Sequence, residues 1–373
     1  MKKELIALSL SLCILLSLSA CCGKEQRLST AVLPVEHEPE FGGAYICTSI
    51  EDFCALGFAY GDSVDVAFSN GHTLEDIPFY NGYYGRTGTD ELCAYPGDPY
   101  VKAAVCFGED LFLREELDDS STAVITLRTA GKYLTVQNVM NTVYTNERED
   151  YADDEVFANF RSMKGGRLKE GLIYRSASPC DNEYNRADYA AALCEKAGIG
   201  YILDLADSEE SLATCYGSTE DGSAYWQRLC AEGKILPLGM SSNYRGEAFV
   251  AATVKLMRAI LREEGPFLVH CLEGKDRTGV VCYMLGVLAG AGYEELRDDF
   301  MITYENYYGL DPQGESYAAL VSTKFDDIAL TFSGVEDVAA LNTETLRAGV
   351  EQYLLAGGMS PEEIAALEAA ITE

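Results

Sequence analysis

Cys271 and Arg277 stand six positions apart in the segment Val269-His-Cys-Leu-Glu-Gly-Lys-Asp-Arg-Thr-Gly279, a spacing that lets one short loop bring a thiol and a guanidinium to the same anionic group. The apolar run Phe267-Leu-Val-His270 predicts a strand before the loop, and the run from Arg277 to Ala291 predicts a long helix after it. A strand that stops into such a loop and restarts as a helix aims successive backbone N–H groups at one point, where the helix dipole also favours negative charge. A phosphate fits that point, cradled by Leu272, Glu273, Gly274, Lys275, Asp276, Arg277 and Thr278. At the loop entrance Cys271 meets the same amides and Arg277, surroundings that favour the thiolate needed for attack on phosphorus. The planar fork of Arg277 matches two equatorial phosphate oxygens, a geometry that lysine does not reproduce. Gly274 permits tight curvature, Thr278 offers a hydroxyl to the sulfur as it leaves, and Gly279 lets the helix begin close to the loop.

In a chain with 13 cysteines the bare spacing is a weak signal, and the strand, His270, the two glycines and the helix make it specific. On these residues the chain resembles the cysteine-based protein tyrosine phosphatase superfamily, and within it the bacterial group whose loop reads H-C-x-x-G-K-D-R-T-G, over about residues 150–373. Ala158-Asn-Phe-Arg161 is similar to that group's opening segment, and Leu172-Ile-Tyr-Arg-Ser176 to its Tyr/Phe-Arg-Ser strand end. The strand ending Asp204-Leu205 occupies the place of the family's Asp-Leu-Arg, but Ala206 replaces the arginine. Substrate preferences that depend on that arginine therefore do not carry over.

The resemblance implies a two-step hydrolysis of a phosphomonoester through a cysteinyl-phosphate, without metal or other cofactor. It implies protein-tyrosine phosphatase activity first, with phosphoinositides or inositol phosphates as the alternative substrates. A phosphate-binding surface protein without turnover is the alternative to an enzyme. The family's usual acid is an aspartate on a loop ahead of the nucleophile, yet Ile235 to Tyr244 contains none. Asp276 takes that role in this reading, as in some members of the group; the competing reading makes Asp276 an acceptor for loop amides and gives the proton to Asp204, Asp207 or Glu273. In related phosphatases a lysine like Lys275 accompanies phosphoinositide activity; otherwise it is a solvated loop lysine. Arg161 and Arg175 either approach the site or serve as structural hydrogen-bond donors.

The elements that must position this loop alternate between helix and strand over residues 145–373. Tyr184 to Gly198 reads as a helix, Ile199 to Leu205 as a strand, Tyr225 to Gly233 as a helix, Ile235 to Leu238 as a strand and Glu247 to Glu264 as a helix. Such an order predicts an α/β fold with a mainly parallel central sheet flanked by helices, and catalytic groups beyond the carboxyl ends of the strands. Residues 336–373 read as helical, with Ser360-Pro361-Glu362-Glu363 as a helix start.

Residues 41–140 form short alternating runs broken by Gly, Pro, Asn and Asp, which predicts a small β-rich domain ahead of the phosphatase-like part. The runs Gly61 to Phe68, Ile77 to Tyr80 and Tyr100 to Ala104 resemble the C-terminal β-barrel of the S-adenosylmethionine hydrolases in spacing, without that family's catalysis. Tyr80, Tyr83 and Tyr84 either form a binding rim or pack a sheet. Residues 21–40 are polar and read as a tether.

Residues 1–20 pair Lys2 and Lys3 with the apolar run Leu5 to Ala20, and Leu18-Ser-Ala-Cys21 resembles a bacterial lipoprotein signal. That resemblance implies export, acylation at Cys21 and anchoring to the outer face of the cell membrane. The net charge of −32 opposes binding to nucleic acid, so an anionic substrate, whether a phosphorylated protein or a small phosphomonoester, needs a local positive site. No CxxC occurs, and the three histidines, at 37, 72 and 270, are scattered, so no zinc-like cluster is expected. Cys194 and Cys282 fall on apolar helical faces and are expected to be buried thiols, while disulfide pairing stays open.

Overall fold

The structure, a computed structural model, describes residues 27–373; the signal-like segment and Cys21 lie outside the described residues. Seven strands build the N-terminal domain: β1 (Leu33–Glu38), β2 (Gly43–Ile46), β3 (Ser63–Phe68), β4 (Thr73–Tyr80), β5 (Asp90–Cys93), β6 (Val101–Val105) and β7 (Thr122–Thr129). They close into a barrel in the order β1-β2-β6-β5-β4-β3-β7, antiparallel except between β4 and β5. Alternation sends Val64, Val66, Phe79, Leu92, Val101, Ala103 and Ile125 into its core. The turn Ser69-Asn-Gly71 joins β3 to β4, with the Phe68 N–H donating to the His72 carbonyl at 2.9 Å.

One boundary needs correction. Residues 33–38, assigned to the tether, are β1, paired with β2 and β7. The prolines and acids of this stretch suggest a solvated chain, but Glu38 is buried with its Oε2 at 3.5 Å from the buried Lys102 ammonium. A paired charge inside a barrel is indistinguishable by composition from a free one outside.

The second domain holds β8 (Arg161–Ser162), β9 (Ile173–Ser176), β10 (Tyr201–Asp204), β11 (Ile235–Pro237) and β12 (Phe267–His270) in the order β11-β10-β12-β9-β8. The pairs β11/β10, β10/β12 and β12/β9 are parallel, and β8 runs antiparallel to β9. The expectation of a mainly parallel sheet thus holds only in part: the barrel is mixed, and the second sheet carries an antiparallel edge. Alternate residues of the central strands face opposite cores. Ile202 and Leu268 pack with Trp226 and Leu229 of the helix Ala224–Ala231, whereas Leu203 and Val269 pack with the helices Glu247–Arg262 and Asp276–Leu288.

The helix Asp276–Leu288 is buried at every position from Thr278 to Leu288, as a helix apolar on all sides must be. Gly279 has a packing reason beyond the one expected: a Cβ there would meet the Phe300 ring at 2.6 Å, so the glycine lets the helix Tyr293–Tyr308 lie close across the start of this one. The C-terminal helices Thr343–Ala356 and Pro361–Ile371 occur where expected, the latter with Ser360 and Glu363 completing a capping box. Among the described residues no helix is long and apolar enough to cross a membrane, and the ten described cysteines are all free thiols, Cys194 and Cys282 both buried.

Candidate active site

Three strand ends lie level with one another: Ser176 of β9 pairs with His270 of β12, which pairs with Asp204 of β10. Cys271 follows His270 directly, at the carboxyl edge of the sheet, and is 3% exposed. The chain then turns through residues 272–275 into the helix beginning at Asp276. Gly274 makes this turn with φ 67°, and a Cβ there would fall 2.2 Å from the Ser176 carbonyl oxygen. No side chain fits that approach.

The loop is held from behind by groups of the resembling segments. Arg175 is buried and donates from Nη2 to the Gly274 carbonyl (3.0 Å) and from Nη1 to Asp299 Oδ2 (2.7 Å). Asn159, with φ 51°, donates from Nδ2 to the carbonyls of Glu273 (3.3 Å) and Gly274 (3.2 Å), and accepts at Oδ1 from Arg161 Nη1 (2.6 Å). The Tyr307 hydroxyl donates to the Glu273 carbonyl at 2.7 Å. Arg161 and Arg175 are therefore structural donors. Burial would raise the Asp299 carboxyl, but Arg175 and Arg161 outweigh it and hold it below the usual range. Removing one member of such a buried group leaves an uncompensated charge, at about 3–5 kcal/mol. Asp299, Thr303, whose Oγ1 accepts from Asn159 Nδ2 (3.2 Å) and Arg161 Nη2 (3.1 Å), and Tyr307 were not anticipated, because they come from a helix that reaches the loop only through the fold; two arginines without an assigned carboxylate were the available signal.

Arg277 donates from Nη1 to the Met240 carbonyl at 2.9 Å, which ties the start of the helix Asp276–Leu288 to the segment after β11, in the stretch of the sequence that holds no aspartate. Thr278 Oγ1 is buried without a hydrogen-bond partner. Lys275 is not a solvated loop lysine: its side chain is 15% exposed, and Nζ lies 3.2 Å from Glu273 Oε1 and 3.8 Å from Asp276 Oδ2. Burial would lower its pKa, but Asp276 and Glu273 outweigh it and keep the ammonium charged.

Of the four candidate acids, Asp276 alone lines the cavity that Arg277 also lines, a space of about 260 Å³ between the two domains, and its side chain is 58% exposed. Glu273 is engaged by the Tyr144 hydroxyl and Lys275. Asp204 is fully buried, accepting from the backbone N–H groups of Ala206 (2.9 Å) and Asp207 (3.1 Å). Asp207 accepts from Cys180 Sγ (3.3 Å) and Ser211 Oγ (2.8 Å). Cys180, Asp204 and Asp207 bring one possible metal-ligand atom each within 4.8 Å of one another, a grouping that separations in sequence conceal. Asp204 Oδ1 also lies 3.8 Å from His270 Nε2, and burial pushes the Asp204 carboxyl up and the His270 imidazole down, disfavouring charge on both.

Of the tyrosines, Tyr80 is buried in packing while Tyr83 lines the interdomain cavity. That cavity exists because the barrel docks on the second domain. The Thr87 N–H and hydroxyl donate to Asp327 Oδ1 (2.7 Å) and Oδ2 (3.0 Å), and Arg245 pairs with Asp327 Oδ2 at 3.2 Å.

Residues 155–373 match the model of a family described as "Tyrosine phosphatase family". No curated protein sequence matches the chain. Among solved structures, the core catalytic domain of the PP-IP phosphatase SIW14 from S. cerevisiae is 20% identical, with 52% of this chain and 95% of that one covered at a TM-score of 0.28. TpbA of P. aeruginosa is 17% identical, with 59% and 99% covered and a TM-score of 0.27. Human DUSP28 is 13% identical, with 52% and 97% covered and a TM-score of 0.22.

Proposed function

We propose, for a chain that belongs to the tyrosine phosphatase family and is thereby a cysteine-dependent phosphatase, metal-independent hydrolysis of phosphomonoesters with phosphotyrosine as the preferred ester. Cys271 Sγ attacks phosphorus while Arg277 holds two equatorial oxygens, Asp276 protonates the departing oxygen, and the alcohol or phenol leaves. Water then attacks the cysteinyl-phosphate, giving its proton to Asp276, and inorganic phosphate departs as Thr278 donates to the leaving thiolate. The observation that carries this reading is the joint presence of Asp276 and Arg277 on one cavity, directly after a buried Cys271 at the sheet's carboxyl edge. The aromatic lining of that cavity, Tyr83, Phe107, Phe249 and Phe300, supports an aryl ester. A phosphoinositide or inositol phosphate is the second reading, favoured by the charged Lys275 beside the loop.

The location that goes with this reading is the outer face of a bacterial cell membrane, reached by export and held by lipid on Cys21; its support is the pattern of residues 1–21. Phosphate release from p-nitrophenyl phosphate in EDTA tests the reaction. Wild type turns over, and Cys271→Ser loses nearly all of that turnover; absence of turnover in a folded, reduced wild type would leave a phosphate-binding surface protein instead.

A further inference from the structure

The cavity beside Asp276 and Arg277 is walled on its far side by the barrel, through Tyr83 and Phe107. The wall is held in place by specific polar contacts, since Thr87 of the barrel spends both its donors on Asp327 and Arg245 closes the same group. Phe107 is 66% exposed and sits at φ 45°, backbone that a bulky side chain rarely adopts. Its ring lies 5.4 Å from the Arg245 guanidinium carbon. An exposed aromatic ring in such a conformation at the rim of a cavity is the kind of local strain that accompanies ligand contact.

A third group points the same way. Lys324 lies on the π-helix Val321–Phe325, a rare local widening that concentrates at functional sites, and it lines the same cavity. Among the described residues no carboxylate comes within 4.0 Å of its ammonium group, whereas Arg245 on the same cavity is paired with Asp327. The charge of Lys324 is felt by the buried Glu91 carboxyl, but among the described residues no ion pair holds it, which in a chain with 60 acids against 28 lysines and arginines sets it apart. Arg277 serves the scissile phosphate, so Lys324 is left for a second anion.

Resting on the phosphatase reading, we infer that the barrel is half of the substrate site: Tyr83 and Phe107 grip an aromatic leaving group, and Lys324 binds a second anionic group that it carries. The ligand chemistry is an aryl phosphomonoester with an additional carboxylate or phosphate. It has two sources, a small aryl phosphate bearing a second anionic group or a phosphotyrosine beside an acidic residue in a peptide.

The experiment measures kcat/KM for phenyl phosphate against isomeric carboxyphenyl phosphates, and for a phosphotyrosine peptide flanked by glutamate against its glutamine counterpart. Wild type prefers the more anionic partner of at least one pair. Lys324→Met reduces that preference about tenfold or more, the scale of one charge-assisted hydrogen bond, and Lys324→Arg retains it. Lys196→Met, which removes a positive charge at the exposed end of a distant helix, leaves the preference intact. Preference confined to the small esters or to the peptides identifies the source, and either supports the proposal. Turnover by wild type without preference, or preference undiminished in Lys324→Met, overturns this proposal alone. No turnover of any ester by wild type overturns the phosphatase reading and this proposal with it.

Discussion

In the proposed mechanism Asp276 has the most demanding task in the loop, because it gives a proton to a leaving group and later takes one from water. Its carboxylate lines the cavity but lies 3.8 Å from Lys275 Nζ, close enough for the lysine to orient it. General acid catalysis is worth about 10²–10⁴-fold when the leaving group is poor, and much less when the leaving group is already stable as an anion. Asp276→Asn is therefore expected to slow phenyl phosphate about 10²-fold and p-nitrophenyl phosphate far less, measured as kcat. Equal slowing of both would return the role to another acid. The loop that carries Cys271 and Arg277 was legible from the sequence because the strand before it, the glycines within it and the helix after it surround the spacing. Asp299, Thr303 and Tyr307 were not, because Tyr307 meets the loop, and Asp299 and Thr303 meet Arg161 and Arg175 behind it, from more than twenty residues downstream, and they carry no periodic signal of their own.

At the scale of elements, strand β12 and the helices on either side of it were legible because each is long or strongly apolar; β12 spans the residues expected of it. β1 was not, since the charge on Glu38 is paired inside the barrel. The segment joining β4 and β5, which carries Tyr83 and Thr87, is held by a second buried acid. Glu91 Oε2 accepts from the backbone N–H groups of Tyr84 (3.2 Å) and Gly85 (2.9 Å). Burial pushes its pKa up from 4.5 to about 7, against the opposing pull of those hydrogen bonds. The unfolded chain releases this proton near pH 4.5 and the folded chain only near 7, so the folded state holds more protons between them and stability falls as pH rises through that window. The effect amounts to about 3 kcal/mol at most, at ~1.4 kcal/mol per pH unit. Glu91→Gln is expected to raise Tm relative to wild type at pH 8 by more than it does at pH 4.5. The same difference at both pH values would mean that ionisation of Glu91 does not burden the fold.

At the scale of the whole molecule, the barrel and the second, mostly parallel sheet differ in their local patterns, short alternating runs in one and alternating helices and strands in the other, but no local pattern shows how they meet. The contact between Thr87 and Asp327 spans 240 residues, and nothing in either local pattern marks the two as partners. The helix Leu134–Met140, assigned to the β-rich unit, buries Val139 in the core of the second, so the two units share a boundary element. The barrel thereby becomes a wall of the cavity that Asp276 and Arg277 line, and in the proposed account a single chain unites the chemistry of Cys271 with recognition by residues far from it. That union has meaning only if Cys271 carries the phosphoryl group during turnover. The measurement that tests this most directly is rapid acid quench of wild type and Asp276→Asn during hydrolysis of an aryl phosphate, followed by peptide mass analysis. The account predicts one phosphoryl group on the peptide at Cys271, accumulating further in Asp276→Asn because its second step also lacks a base; phosphate release with Cys271 unmodified, or a phosphoryl group on a different residue, would contradict it.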